Sequence, residues 1–147
     1  MRVGPRGFRA TTDFGSIGQG LGTAMGVVVD RPDAPVVLFA GDGGTLLTFG
    51  DLDTAVRYRL PLVVVVMNDH AFGAEKELLA QMGVRDDYAI FADTDIAAAA
   101  RGFGVDARTI RTLDELRALR DTFASLSGPL LLDCKLNPDV PAEWLRS

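Results

Sequence analysis

A chain of 147 residues that is 48% hydrophobic and 24% charged is one ordinary globular domain with apolar content enough for a core, which excludes a disordered chain and a disulfide-built one. Its net charge of −5 is spread without a long run of one sign, so a nucleic-acid surface is excluded and any polyanion must be held at a local site. "MRVGPRGFR" has no apolar signal-peptide core behind it, and no apolar segment approaches the roughly 20 residues of a membrane span, so the expectation is a cytoplasmic protein with no membrane partner.

From Gly18 to Val29 the chain is rich in glycine and alanine, with Leu21, Met25 and Val28 spaced along one face of a closely packed helix. "APVVLFA" then reads as a short, wholly apolar strand. The next stretch, "GDGGTLLTFG", admits either a hairpin turn with a return strand or a turn into a helix. Leu47, Leu52, Ala55 and Val56 recur at helical intervals, whereas a return strand would alternate in twos and end near Gly50, so a helix is predicted. "LPLVVVVMN", Leu60 to Asn68, is apolar on both faces, as a covered parallel strand must be, and a helix is expected after Gly73.

Asp93, Thr94 and Asp95 offer caps for a helix stopped by Gly102 and Gly104, and a strand near "VDARTI" follows. Thr112 and Glu115 form a capping box whose helix is predicted to run through Leu126. "GPLLLDCKL" is the last strand, in which the single cysteine, Cys134, reads as a buried, inert thiol. The tail "NPDVPAEWLRS" reads as irregular. Strand and helix alternate throughout, so the fold class is α/β, with a mainly parallel sheet, helices on both faces and right-handed crossovers. Ligands of such sheets sit beyond the carboxyl ends of the strands, here at Gly41 to Gly44 and Asn68 to Gly73.

Each of these loops carries a carboxylate at its tip, Asp42 in the first and Asp69 in the second. Two hard oxygen ligands suit magnesium, which takes one or two carboxylates and completes its octahedron with water and substrate phosphate. Gly41, Gly43 and Gly44 let the backbone turn sharply and bring N–H groups near phosphate oxygens, and the following helix adds its positive end. Alone, the Gly-Asp-Gly-Gly turn is more often a structural turn. A dinucleotide site, the other glycine-based option, fails on spacing. From Gly18 or Gly20, Thr23 and Met25 occupy the third glycine positions of G-x-G-x-x-G, and no strand precedes.

"GDG" at 41–43, then the 24 residues 44–67, then "ND" at 68–69 resembles the thiamine diphosphate fingerprint, in which GDG is followed at this distance by paired asparagines. "FGSIGQGLGTAMG", "GDLDTAVRYRLPLVVVVMND" and "GPLLLDCKLNPDVP" extend the likeness over essentially the whole chain. The module it resembles is the C-terminal, pyrophosphate-binding domain of the superfamily of acetolactate synthase, pyruvate decarboxylase and benzoylformate decarboxylase. The resemblance implies thiamine diphosphate and Mg2+ as cofactors. It implies Asp42, Asp69 and the Ala71 carbonyl as metal ligands, with Gly41, Gly43, Gly44, Phe72 and Gly73 lending backbone to the diphosphate. Upstream, it implies a pyrimidine-side contact around Ser16, with the Gly15 carbonyl accepting from the aminopyrimidine and Ile17 supporting the cofactor's bent shape. Asp69 departs from the family's usual asparagine, and Gly22 stands where proline is common.

In that family a strand and a helix precede the position of Phe8, and a separate pyrimidine-binding domain supplies a glutamate to the cofactor. The expectation is therefore a thiamine diphosphate-binding fold lacking its first strand and helix, with the pyrimidine-binding domain absent from residues 1–147. "NDHAFGAE" is similar to the stretch of pyruvate and indolepyruvate decarboxylases that ends in a proton-handling glutamate. This makes Glu75 a candidate catalytic residue beside the simpler reading of an acid in the first turn of a helix. His70, the single histidine, is a candidate proton relay or a solvated loop residue. The implied activity is that of a component of a 2-oxo acid decarboxylase or acetolactate synthase-like carboligase. It would work with a pyrimidine-binding domain or subunit in a homo- or hetero-oligomer. The alternative is a catalytically incomplete cofactor-binding module, a truncated remnant or a regulatory binder.

Overall fold

Four apolar runs become strands β1 (Val36–Gly41), β2 (Leu62–Asn68), β3 (Asp106–Ile110) and β4 (Leu130–Lys135) in the computed structural model, which describes residues 7–11 and 13–140. All pairings are parallel, in the order β1-β2-β4-β3, so the chain passes over one position after β2 and β4 returns to fill it. Gly41 at the end of β1 is level with Met67 near the end of β2, and this register sets the two predicted loops side by side.

Alternate residues of the sheet feed two cores. On one face Leu62, Val64 and Val66 of β2, with Ala107 and Leu131, meet α1 (Gln19–Asp30), α3 (Leu52–Arg57) and α5 (Ile96–Gly102). Helix α1 presents Leu21, Ala24 and Val28, one helical stripe, and Met25 packs beside them as the spacing predicts. On the other face Val63, Ile110, Leu130 and Leu132 meet α6 (Leu113–Ala118) and the segment after it. The predicted arrangement of helices on both faces is therefore observed. Strand β1 differs from β2 in that Val37 and Phe39 on its second face stay exposed.

Local signals set most of the boundaries. Asp95 caps α5 by accepting the Ala98 N–H at 2.8 Å, and Thr112 and Glu115 make the predicted capping box. Two boundaries differ from expectation. The helix after the glycines begins at Asp42 itself, as α2 (Asp42–Leu47), and is separated from α3 by a 3₁₀ turn at Phe49–Asp51. The break starts at Thr48, whose backbone leaves helical geometry and whose Oγ1 donates to the Gly18 carbonyl at 3.3 Å. Helix α6 stops at Ala118, short of Leu126, and a second 3₁₀ turn follows at Thr122–Ala124. Leu116, Leu119, Phe123 and Leu126 still reach the same core cluster, so their burial does not require an unbroken helix. The helix expected after Gly73 is α4 (Gly73–Gln81), which buries none of its residues. Of the tail read as irregular, 137–140 form no helix or strand and 141–147 lie outside the described residues. No helix among the described residues is long and apolar enough to cross a membrane.

Candidate functional site

The adjacent ends of β1 and β2 bring Asp42 and Asp69 into one electrostatic neighbourhood. Asp42, the first residue of α2, is only 2% exposed, and its Oδ1 accepts the Gly43 N–H at 2.8 Å. Burial pushes its carboxyl above the ordinary value. The Gly43 N–H opposes the rise, the charge of Asp69 adds to it, and the N–H groups of His70 and Ala71 oppose it again. Those causes place the 69–71 backbone and the Asp69 carboxylate around Asp42. Among the described residues neither aspartate has an ion-pair partner. A buried carboxylate near a second one, with amides rather than a cation beside it among the described residues, is electrostatically incomplete, and neighbouring carboxylates are oxygen donors of the kind a hard cation takes.

Glycines hold the three predicted segments together by letting them touch. A Cβ on Gly43 would stand 2.4 Å from the Phe72 ring, and one on Gly73 would stand 2.5 Å from Asp69 Oδ2. One on Gly44 would lie 3.3 Å from Ile17. Ile17 and Gly18 thus lie against Gly44, and Gly43 lies against Phe72, an approach that leaves no room for a side chain at Gly43. Gly15 has a φ of +61° with open space around it, Ser16 is exposed, and Ile17 is 46% exposed.

Some predicted backbone donors are already engaged. The Phe72 N–H donates to the Ala89 carbonyl at 2.9 Å, the Gly43 N–H is on Asp42, and the Phe72 ring packs edge-on against Phe91 with centroids 4.9 Å apart. Ala71 pairs with Ile90 in an isolated antiparallel bridge, and the His70 carbonyl accepts the Phe91 N–H at 2.6 Å. The second loop is therefore zipped to residues 89–91. His70 has a left-handed φ of +62°, and its Nδ1 stands 3.6 Å from Asp93 Oδ1, so the ring faces a carboxylate outside the pair of aspartates. Glu75 is exposed in the first turn of α4.

Beneath the second loop lies a polar cluster that the sequence reading does not include. Asn68, 1% exposed, donates from Nδ2 to Asp133 Oδ1 at 2.7 Å and accepts the His70 N–H on Oδ1 at 3.2 Å. Lys135 Nζ reaches Asp93 Oδ1 at 2.9 Å, the Thr94 carbonyl at 3.1 Å and Asp133 Oδ2 at 3.3 Å. The Lys135 ammonium holds the Asp93 carboxyl below the usual carboxylate range. The signal for this cluster is two opposite charges, two residues apart, inside the apolar run "LLLDCKL". Between them Cys134 is half-buried, and burial followed by the charge of Asp133 raises its thiol, the surroundings of an unreactive cysteine.

Residues 1–134 match the model of the family described as "Thiamine pyrophosphate enzyme, C-terminal TPP binding domain". The chain is 35% identical over 134 residues to the acetolactate synthase large subunit of Parasynechococcus marenigrum, covering 88% of this chain and 21% of that protein. It is 29% identical over 136 residues to the Escherichia coli acetolactate synthase isozyme 2 large subunit, covering 90% and 25%. It is 29% identical over 138 residues to the pyruvate oxidase of Lactiplantibacillus plantarum, covering 90% and 23%. It thus spans about a quarter of the length of these relatives. The thiamine diphosphate-dependent 4-hydroxybenzoylformate decarboxylase of Rhodococcus jostii RHA1 has the same fold, with a TM-score of 0.78 at 23% identity over 84% of this chain and 24% of that one. A parallel sheet with helices on both faces and a family match over nearly the whole length agree: the chain belongs to the thiamine pyrophosphate enzymes, matching their C-terminal TPP-binding domain.

Proposed function

We propose that this chain holds the diphosphate of thiamine diphosphate through Mg2+, as one component of a 2-oxo acid decarboxylase or acetolactate synthase-like carboligase. The observation that carries this reading is the buried Asp42 carboxylate near Asp69 at the ends of two neighbouring parallel strands, with no cation among the described residues paired to either. Asp42, Asp69 and the Ala71 carbonyl would ligate the metal, leaving its other positions to diphosphate oxygens and water. Gly41, Gly44 and Gly73 would leave the backbone bare where the diphosphate lies; Ile17 stands against Gly44, and Gly15, Ser16 and Ile17 would meet the pyrimidine side of the cofactor. When bound, the cofactor supplies the nucleophilic carbon and the electron sink that let a 2-oxo acid lose carbon dioxide.

The chain's own residues bind, orient and partly enclose. Phe72, packed on Phe91, closes over Gly43 and narrows water access to the metal end. Glu75, six positions beyond Asp69 in the first turn of α4, would hand a proton to the substrate, and His70 is a weaker candidate because its ring is turned to Asp93. A pyrimidine-binding domain or subunit completes the pocket in an oligomer. Calorimetric titration of the chain with thiamine diphosphate, with magnesium and with EDTA, tests the reading. Uptake only with magnesium, lost in Asp42→Ala, is expected; equal uptake in EDTA would overturn it.

A further inference from the structure

Proposing Asp69 and Ala71 as cation ligands leaves unexplained why two opposite charges are buried on the strand next to them. Asp133 and Lys135 are two residues apart on β4, so both side chains leave the same face of the strand. Asp133 is fully buried and the Lys135 side chain is 8% exposed. A buried ion pair is seldom more stable than well-packed apolar residues in its place, and its best-attested use is to specify one arrangement.

Two arms leave this pair, and both end on His70. One runs from Asp133 Oδ1 through the Asn68 side chain to the His70 N–H. The other runs from Lys135 Nζ to Asp93, whose carboxylate faces the His70 ring at 3.6 Å. His70 is held in a left-handed conformation that a residue with a Cβ adopts only where its surroundings impose it. It also stands between Asp69 and Ala71, so its backbone angles decide where that carboxylate and that carbonyl point.

We propose that the Asp133–Lys135 pair is a positioning device, gripping His70 by backbone and by side chain so that Asp69 and the Ala71 carbonyl are aimed together at the cation. This rests on the reading of those two groups as ligands. The test replaces both charges at once, Asp133→Leu with Lys135→Met, so that no lone buried charge is created. Amide hydrogen exchange is followed by NMR on the metal-free chain, and thiamine diphosphate uptake with magnesium by calorimetry.

The amides of His70, Phe72 and Phe91 should exchange at least ~10-fold faster while Val64 and Val66 in β2 keep wild-type rates, and cofactor affinity should fall at least ~10-fold. Loop amides at wild-type rates overturn the proposal. So does acceleration of β2 by the same factor, which makes the pair a support of the fold alone. Asp93→Ala, at an exposed position, cuts only the lysine arm and guards against a double variant that fails to fold; its His70 and Phe91 amides should exchange ~3-fold faster or more, and unchanged rates there also overturn the proposal. A wild-type chain that takes up no cofactor with magnesium overturns the ligand reading instead, and the exchange rates still report whether the pair holds the turn.

Discussion

Gly43 and Phe72 meet backbone to ring, so that a Cβ on Gly43 would stand 2.4 Å from Phe72 Cε1 and 2.5 Å from Cδ1. The ring cannot yield freely because Phe91 packs edge-on against it. Gly43→Ala is therefore expected to cost about 1–3 kcal/mol, the usual penalty of overpacking. Phe72→Ala in the same chain should recover most of that cost, and a double-mutant cycle in urea reads the coupling. Strictly additive effects would mean that the new methyl meets something other than the ring.

Asp42 should oppose stability where it serves binding. Burial raises its carboxyl, so in the metal-free fold the group contributes stability at acid pH and loses it as the pH rises through its folded value. Asp42→Asn keeps an oxygen for the Gly43 N–H and removes the charge. In EDTA at pH 7 the variant is expected to melt above wild type, with the gap narrowing toward acid pH, while magnesium-dependent cofactor uptake falls at least ~10-fold. Thermal melts in EDTA and calorimetry check the two halves separately, and a variant no more stable than wild type would refute the first.

Glu75 separates a chemical role from an electrostatic one. In the enzyme proposed to form with a pyrimidine-binding partner, Glu75→Gln should leave cofactor affinity nearly unchanged and slow kcat by at least ~100-fold if the carboxyl moves a proton. As a charge in the first turn of α4 it would contribute only a few tenths of a kcal/mol to stability. Near-normal turnover returns it to that lesser role.

The chain by itself should hold the cofactor without activating it. If the proposed pyrimidine-binding partner carries the general acid–base group, working without it typically costs ~10²- to 10⁴-fold, and a pocket open on that side orients the cofactor poorly. Deuterium exchange at C2 of thiamine diphosphate, followed by NMR with saturating magnesium, is expected to run no faster with these 147 residues than in free solution. Fast exchange would reveal an activating acid within them.

What could be read in the sequence follows what burial alone controls. Strand β2 is legible because every position from Leu62 to Val66 is apolar, and the capping box at Thr112 because it is a local reciprocal bond. The end of α6 is not, because Leu119, Phe123 and Leu126 keep helical spacing whether or not the backbone stays helical. The start of α2 at Asp42 is hidden by two glycines that read as a turn. Asp42 and Asp69 are legible as a pair because each ends an apolar run. That Asp133 and Lys135 serve the same site depends on β4 inserting beside β2, which no local pattern encodes.

The insertion also governs how the chain is made. Val63 of β2 pairs with Leu130 of β4, 67 positions later, so during synthesis one edge of β2 waits for its neighbour. At ribosomal speeds of about 5–20 residues per second that wait is roughly 3 to 13 s. Parallel pairings between distant segments also form slowly once both are present. The nascent chain therefore spends seconds with the β4 side of β2 unpaired, and that is the interval in which a chaperone, or another copy of the same strand, can take the place reserved for β4.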